Sequence, residues 1–151
     1  MKGYLNNEKA TNETIREDNW LHSGDIAYYD KSLRFYIVDR LKELIKVKGF
    51  QVAPAELEDL IRSHAEVKDV AVIGIPDKIK GEVPLAFIVT TETNVNDMFV
   101  KERIHRFVNE HVSEYKQLAG GIRIVEKIPK SASGKILRKD LRTLFTSTNE
   151  K

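Results

Sequence analysis

Two apolar segments rich in β-branched residues, at residues 70–75 and 85–91, constrain the fold of this chain more than any other feature. Such segments favour strands, and the polar residues 76–84 between them, which include Gly81, are expected to form a loop. Apolar residues also recur at helical spacing, from Leu57 before the segments and from Val100 after them. Because an amphipathic helix must cover its apolar face, we expect these helices to pack on a sheet.

The rest of the chain is predicted to supply shorter elements around this centre. Residues 1–19 are predicted to be an extended surface segment, followed by a hairpin of residues 20–30 and 33–38 that turns at Lys31-Ser32. A second strand pair, of residues 43–47 and 50–52, turns at Lys48-Gly49, and a further strand is expected at 122–125. Helices are expected over residues 54–64, from Asn96 or Asp97 to residue 112, and over residues 137–145. The predicted fold is α+β, a small mixed sheet with packed helices plus an N-terminal β-hairpin. The predicted core is Leu57, Ile61, Ile104, Phe107 and Val108.

Composition excludes several functions for this chain of 151 residues, a length that suits one domain. Charged residues make up 32% of the chain but the net charge is only +2, which argues against a general nucleic-acid or membrane binder. The absence of cysteine rules out a thiolate nucleophile and a Cys-ligated zinc site. The histidines, His22, His64, His105 and His111, lack metal-ligand spacing, so we expect no metal site.

Hydropathy and the termini give an expected location. The longest apolar run, residues 70–76, is too short to cross a bilayer, and the N-terminal residues MKGYLNNEKAT have no signal-peptide core. The final residues, Asn149-Glu150-Lys151, are not a Ser-Lys-Leu peroxisomal signal. We therefore expect a soluble cytoplasmic protein without a membrane span, with the peroxisome kept as an alternative.

A lysine loop near the C-terminus is a candidate phosphate contact. Residues 129–135 read PKSASGK, in which Ser131, Ser133 and Gly134 give Lys135 a flexible approach and leave backbone N–H groups free to meet an anion. A lysine there can neutralise charge that develops at phosphorus during displacement. From the residues alone an ordinary solvated lysine is the favoured alternative, because this is not the GxxxxGK[ST] phosphate loop.

A second lysine loop lies about ninety residues earlier, at residues 42–51. Alternation along a strand puts Lys46 and Lys48 on one face and Ile45 and Val47 on the other. A hairpin with a solvated basic face is the alternative that periodicity leaves open.

Three stretches together resemble one family. WLHSGDIAYYD from Trp20, DRLKELIKVKGFQVAPAELE from Asp39 and PKSASGKILRKDLR from Pro129 are similar, in that order, to the adenylate-forming enzymes of the acyl-CoA synthetase, 4-coumarate–CoA ligase and beetle luciferase group. The resemblance implies that residues 1–39 are the tail of that family's large N-terminal domain and that residues 40–151 are its mobile C-terminal lid domain. Ser23 departs from the usual Thr, and Lys31-Ser32 lacks the usual Gly, which leaves the turn type open.

The resemblance also implies a reaction. Such enzymes form an acyl-adenylate from a carboxylic acid and MgATP, release pyrophosphate, and pass the acyl group to coenzyme A, whereas luciferases oxidise the adenylate. The implied cofactors are ATP, Mg²⁺ held mainly by the large domain, and coenzyme A, and the implied partners are that domain and a small carboxylic acid. Because the lid rotates between steps, different faces of it meet one site, and this chain alone is expected to be inactive or nearly so.

Individual roles follow from the same resemblance. Two lysines are implied to be catalytic, Lys135 in adenylation and Lys46 in the second step. The other implied roles are ribose binding by Asp25, nucleotide contacts by Arg40 and Gln51, a hinge at Lys42, and the border of the coenzyme A tunnel at Lys48 and Gly49.

Two hypotheses of different classes fit these residues. The first is the lid of an acyl-activating ligase, or of a luciferase-type monooxygenase. The second is a stand-alone module that binds a nucleotide or a protein through a basic face. The intact set of Asp25, Arg40, Lys46 and Lys135 favours the first, because a binding module does not need four dispersed chemical positions.

Overall fold

The computed structural model describes residues 1–92 and 96–149, which form two compact units, one ending at Lys42 and the other beginning at Glu43. The first unit contains α1 (Glu8–Thr14), β1 (Asp25–Tyr29) and β2 (Phe35–Arg40), and a 3₁₀ turn at Leu41–Glu43 follows. The second contains β3 (Ile45–Val47), β4 (Phe50–Val52), α2 (Pro54–Arg62), β5 (Val67–Asp77), β6 (Gly81–Thr90), α3 (Asp97–His111), a 3₁₀ turn at Glu114–Lys116, β7 (Ile122–Ile124) and α4 (Arg138–Asn149).

Strands β1 and β2 form the predicted antiparallel hairpin. Its loop is organised by Asp30, whose Oδ1 accepts hydrogen bonds from the Ser32 amide at 2.8 Å and the Arg34 amide at 3.0 Å. Within this loop, Leu33 adopts the left-handed backbone conformation, at φ 60°. These amides, with that of Arg34 dominant, hold the pKa of the Asp30 carboxyl below its ordinary value. A carboxylate therefore stabilises a loop that lacks glycine.

Helix α1 lies within residues 1–19, for which the sequence predicted an extended segment, so that prediction was wrong there. Asn7 caps the helix, because its side chain accepts a hydrogen bond from the Ala10 amide at 3.0 Å. Glu8 places a negative charge in the first turn, where the helix dipole favours it. No residue of α1 is buried. Local capping determines this helix, and hydrophobic periodicity could not reveal it.

The centre of the second unit is the long antiparallel pair β5–β6, at the core of a five-stranded sheet. On the far edge of β6, β3 pairs antiparallel at Gly81 and β7 pairs in parallel at residues 86–88. The sheet is therefore mixed, as predicted. Strand β5 pairs only with β6 among the described strands, which leaves its outer edge open to side chains.

The predicted loop at residues 76–84 is a correction, because most of it is strand. Pro76 pairs with Glu82 and Gly74 with Pro84, so only residues 78–80 turn. Pro84 lies between the positions at which β3 and β7 pair with β6, where no neighbouring strand needs its missing N–H. Its carbonyl still accepts a hydrogen bond from the Gly120 amide at 2.9 Å. A proline in a strand was misread as a loop signal.

Side chains of β5 alternate between two hydrophobic clusters, one on each face of the sheet. Val70 and Val72 belong to the cluster that α2 and α3 cover. Ala71 and Ile73 belong to the cluster that contains Leu141 of α4. The second unit is therefore three layers, with helices on both faces of the sheet.

Four of the five predicted core residues are buried, all in the first cluster: Leu57, Ile61, Ile104 and Val108. Phe107 is only half-buried: it packs against this cluster, and its ring also contacts those of His64 and His111, at 5.2 and 4.5 Å between centroids. Phe87 of β6 is the largest fully buried side chain of the described residues.

No helix within residues 1–92 and 96–149 has both the length and the apolar character that crossing a membrane requires.

Truncation of Phe87 should be the costliest single aromatic deletion in the second unit. We expect Phe87→Ala to lower the free energy of unfolding by about 3–5 kcal/mol, because it leaves a cavity in a close-packed cluster. Phe107→Ala should cost less, because that ring is partly solvated. Denaturant titrations of both variants measure the difference. A larger loss of unfolding free energy for Phe107→Ala than for Phe87→Ala would contradict the assignment of Phe87 to the close-packed interior.

The turn between β5 and β6 should give a stability term that disappears in acid. The amides of Lys80 and Ile79 donate to Asp77 Oδ1 at 2.7 and 2.9 Å and hold the pKa of this carboxyl below its ordinary value of 3.8. Because the folded-state pKa is lowered, the stabilisation is fully present above the unfolded value and is lost as pH falls through the folded value.

Asp77→Asn should therefore reduce stability at neutral pH and change less than the wild type on acidification. Thermal unfolding as a function of pH measures both slopes, with Asp59→Asn as the control, since Asp59 forms only an exposed pair with Arg62. Parallel curves for wild type and Asp77→Asn would refute the role of the carboxylate.

Candidate functional site

The hairpin of the first unit brings Asp25 and Arg40 together. They are opposite each other in the β1–β2 register, and Arg40 Nε lies 3.2 Å from Asp25 Oδ1. Arg40 Nη2 also donates to the Ser23 carbonyl at 3.0 Å, and the Ser23 hydroxyl accepts from the Asp25 amide at 3.3 Å. The residue that departs from the usual Thr thus keeps a hydroxyl contact, and the guanidinium orients the carboxylate at the end of the strand.

The strand pair β3–β4 presents Lys46 and Gln51 side by side. They are direct partners in the antiparallel register, and both are exposed, while Ile45 and Val47 are buried as alternation predicted. The Lys46 amide donates to Glu82 Oε2 at 2.8 Å, which fixes this strand against β6. The side chain of Lys46 is left in solvent.

The turn at Lys48-Gly49 has positive φ at both residues, 48° and 85°. This is the type I′ geometry that suits a two-residue hairpin. The Lys48 amide donates to the Lys80 carbonyl at 2.8 Å, so the turn is tied to the one organised by Asp77. An added Cβ at Gly49 would meet no atom within 4 Å, so the requirement for glycine is one of backbone conformation. Beside the turn, the rings of Phe50 and Tyr115 stack at 4.6 Å.

Lys135 lies at the end of a tight loop. The bridge between Lys130 and Ile136 closes it, the Gly134 amide donates to the Ser131 carbonyl at 2.9 Å, and the Lys135 amide donates to Ser131 Oγ at 3.2 Å. Gly134 has φ 81°. Lys135 is exposed, and within the part of the chain that the structure describes its ammonium has no hydrogen bond or ion pair. The backbone is held while the cation remains available.

The two lysine loops are anchored at opposite ends of the β5–β6 pair. Lys130 Nζ lies 2.6 Å from Asp69 Oδ2, near the start of β5, whereas the Lys48 amide contacts Lys80, beyond its end. At the usual rise of a strand, Asp69 and Asp77 are roughly 26 Å apart. Lys135 and Lys46 therefore do not form one local site. They belong to two ends of one rigid element.

Lys42 is the last residue of the first unit and lies in the 3₁₀ turn at Leu41–Glu43. Its neighbour Glu43 is tied into the second unit, because Arg142 Nη2 of α4 lies 3.0 Å from Glu43 Oε2. The predicted hinge residue is thus at the junction of two compact units.

Sequence reasoning missed an ion pair between Glu58 and Arg138. Glu58 is buried, at 5% exposure, and no other charged side chain of the described residues is. Its Oε1 accepts hydrogen bonds from the Val72 amide at 2.9 Å and from Arg138 Nη2 at 2.7 Å. Arg138 Nε donates to the Val72 carbonyl at 3.3 Å. The pair therefore caps the open edge of β5. In the sequence, the feature that could have indicated this pair is a carboxylate next to Leu57, on the apolar stripe of α2.

Among the described residues, no group of three His, Asp or Glu side chains is arranged to hold a metal ion. His22 lies 3.8 Å from Asp18, and His111 contacts the carbonyl of Phe107.

Comparison with known proteins identifies the family of this chain. The model of the AMP-binding enzyme C-terminal domain matches residues 56–135. Among curated relatives, 4-coumarate–CoA ligase 3 of Oryza sativa subsp. japonica is 53% identical over 94% of this chain and 25% of its own length. Luciferin 4-monooxygenase of Photuris pensylvanica is 49% identical over 100% of this chain and 27% of its own length.

The fold agrees with a solved structure of the same kind. The crystal structure of the ATP-bound RpMatB-BxBclM chimera B1 superposes with a TM-score of 0.87 at 27% identity, covering 95% of this chain and 28% of the chimera. The chain spans about a quarter of the length of these proteins. On the match of residues 56–135 and the extent of its likeness to these relatives, the chain belongs to the family of AMP-binding enzyme C-terminal domains.

Proposed function

We propose that this chain is the C-terminal part of an AMP-forming acid–thiol ligase, in which residues 40–151 are a lid that serves both half-reactions. The observation that carries the proposal is the placement of two exposed lysine loops at opposite ends of one hairpin, in a chain of this family. A single static site would need both lysines on one side. A domain that rotates can present each end in turn to one active centre.

In the first half-reaction, a carboxylate oxygen of the acid attacks the α-phosphorus of ATP, and pyrophosphate leaves. Negative charge accumulates on the phosphoryl oxygens as the bond forms, and the Lys135 ammonium stabilises it. Lys135 suits this role because no carboxylate of the described residues competes for its charge.

In the second half-reaction, the sulfur of coenzyme A attacks the carbonyl carbon of the adenylate, and AMP leaves. Lys46 and Gln51, adjacent on β3 and β4, then face the adenylate. The Lys48-Gly49 turn borders the path of the pantetheine arm, where the missing side chain of Gly49 leaves open space.

Asp25 and Arg40 form the contribution of the first unit to the nucleotide site. An ionised carboxylate only accepts hydrogen bonds, so Asp25 can take both ribose hydroxyls of ATP. Arg40 already holds Oδ1, and the Asp25 side chain is 34% exposed, which leaves Oδ2 and the second lone pairs for the sugar. Mg²⁺ would be held by the ATP phosphates and by the large domain, since the described residues offer no cluster of carboxylates for it.

Residues 1–39 are proposed to be the last part of a large N-terminal domain. The hairpin exposes Tyr28, Tyr29, Phe35 and Ile37, at 58–75% of their surface, and both hydrophobic clusters lie in the second unit. Such an apolar hairpin fits an element whose covering layer lies elsewhere in a longer chain. The acyl pocket would belong to that domain, and a cytoplasmic location stays a prediction.

A luciferase-type monooxygenase is the second candidate, because one relative at 49% identity over 100% of this chain is a luciferin 4-monooxygenase. It shares adenylation and differs in the fate of the adenylate, which is oxidised rather than transferred to a thiol. Thioester formation with coenzyme A in the full-length enzyme would favour the ligase. Light emission from luciferin and ATP without thioester formation would favour the monooxygenase.

The proposal is tested in the full-length enzyme with ATP and 4-coumarate, an acid named by one relative. Lys135→Ala should slow adenylate formation about 10²–10³-fold and leave thioester formation from pre-made 4-coumaroyl adenylate nearly unchanged. Lys46→Ala should do the reverse. Rapid-quench assays of pyrophosphate release and of thioester formation measure the two steps.

Lys127→Ala is the matched control, as an exposed lysine in the same unit outside both loops. It should leave both half-reactions unchanged. Equal and modest losses in both steps for Lys135→Ala and Lys46→Ala would contradict the assignment of one lysine to each step.

A further inference from the structure

The buried pair of Glu58 and Arg138 lies at the base of the Lys135 loop. Arg138 is three positions after Lys135. The two residues between them close the loop, Ile136 by its bridge to Lys130 and Leu137 by the hydrogen bond from its amide to the Pro129 carbonyl at 2.9 Å. Arg138 is also the first residue of α4. The contacts that hold the Arg138 guanidinium therefore also hold the backbone at the C-terminal end of the loop.

Stability alone explains this pair poorly. Removing two charges from water costs several kcal/mol per ion, and replacing such a pair with apolar residues is often neutral or stabilising. A planar guanidinium that donates in two directions nevertheless determines orientation more strictly than an apolar contact. Here it donates to Glu58 Oε1 and to the Val72 carbonyl at once.

Two ion pairs of the described residues connect the ends of the loop to the sheet or its covering helix, and that of Arg138 and Glu58 is the better shielded. Hydrogen bonds among Ser131, Gly134 and Lys135 fix the shape of the loop but not its direction relative to the sheet. The side chains of Lys130 and Asp69 are 38% and 26% exposed, whereas those of Arg138 and Glu58 are 16% and 7% exposed. Because water weakens an exposed pair, Arg138 is the stronger of these two polar anchors, and it acts beside the packing of Ile136 on the second hydrophobic cluster.

We propose that Glu58, acting through Arg138, is a positioning residue that aims Lys135 at the reacting phosphorus during adenylation. The inference rests on the proposed function and adds to it a residue of α2 that contacts no reactant. Since Lys135 leaves the active centre before the second step, the pair should matter for one half-reaction only.

The test uses the full-length enzyme, ATP, 4-coumarate and the variant Glu58→Gln, which keeps an acceptor for the Val72 amide but removes the charge that orients Arg138. We expect kcat for adenylate formation to fall by roughly 10- to 100-fold with little change in KM for ATP, since a displacement of about 1 Å can cost about 10² in rate. Thioester formation from pre-made 4-coumaroyl adenylate should stay within about twofold of the wild type, because Lys135 is absent from that step.

Glu66→Gln is the matched control, because Glu66 also pairs with an arginine through two hydrogen bonds, Arg103 of α3, but away from the Lys135 loop. Its loss should lower thermal stability without separating the half-reactions. In a Lys135→Ala background, Glu58→Gln should cause no further loss of adenylation. Hydrogen exchange of the Leu137 amide, which donates to the Pro129 carbonyl at the base of the loop, should accelerate in Glu58→Gln and remain unchanged in Glu66→Gln.

Several results would overturn the inference. Equal losses in both half-reactions, losses that add fully to that of Lys135→Ala, or unchanged exchange of the Leu137 amide would each reduce the pair to a structural role. If Glu58→Gln does not fold, Arg138→Lys, which keeps the cation but loses the fork, carries the same expectations. A wild-type enzyme that forms no adenylate overturns the proposed function as well, whereas an active wild type with an unaffected Glu58→Gln overturns this inference alone.

Discussion

The packing of the second unit depends on the hydrogen bonds that the buried carboxylate of Glu58 accepts. Glu58 lies on the apolar stripe of α2, where an unpaired charge would be very costly, and it takes its partners from the open edge of β5 and from Arg138. This links a helix on one face of the sheet to the first residue of α4, whose Leu141 packs on the other face. One turn later, Arg142 reaches Glu43 at the start of the unit. Helix α4 therefore connects the Lys135 loop to the junction at Lys42.

Strand length then determines what the unit can present. Because β5 and β6 pair in unbroken register from Asp69 to Asp77, the unit is stiff along this direction, and groups at its two ends keep a fixed separation. On the proposed function, stiffness is an advantage. Two loops on a rigid body exchange places by rotation about one junction, whereas a flexible domain would lose the alignment that charge stabilisation requires.

The sequence pattern predicted α2, α3 and α4, the mixed sheet and both hairpins, because these elements bury a face and burial leaves a regular pattern. It failed where other forces decide. Helix α1 depends on the Asn7 cap and buries nothing, while Pro84 lies in a strand at a position that needs no N–H. Glu58 broke the apolar pattern of α2 without naming its partner, since Arg138 is eighty positions away. The turn at Lys48-Gly49 was predicted, whereas the register that joins Lys46 to Gln51 was not stated, and the roles of the site residues came only from resemblance.

The described lysines fall into two groups, those whose ammonium forms an ion pair and those whose ammonium does not. Lys116 and Lys130 are paired with Glu56 and Asp69 and secure the surface of the fold. Within the described residues, Lys46 and Lys135 have no such partner, but several other surface lysines share that property. The backbone amides of these two are held by side chains, of Glu82 for Lys46 and of Ser131 for Lys135. A held backbone with a free ammonium reduces the entropy lost when an anion binds, and no existing ion pair has to break first.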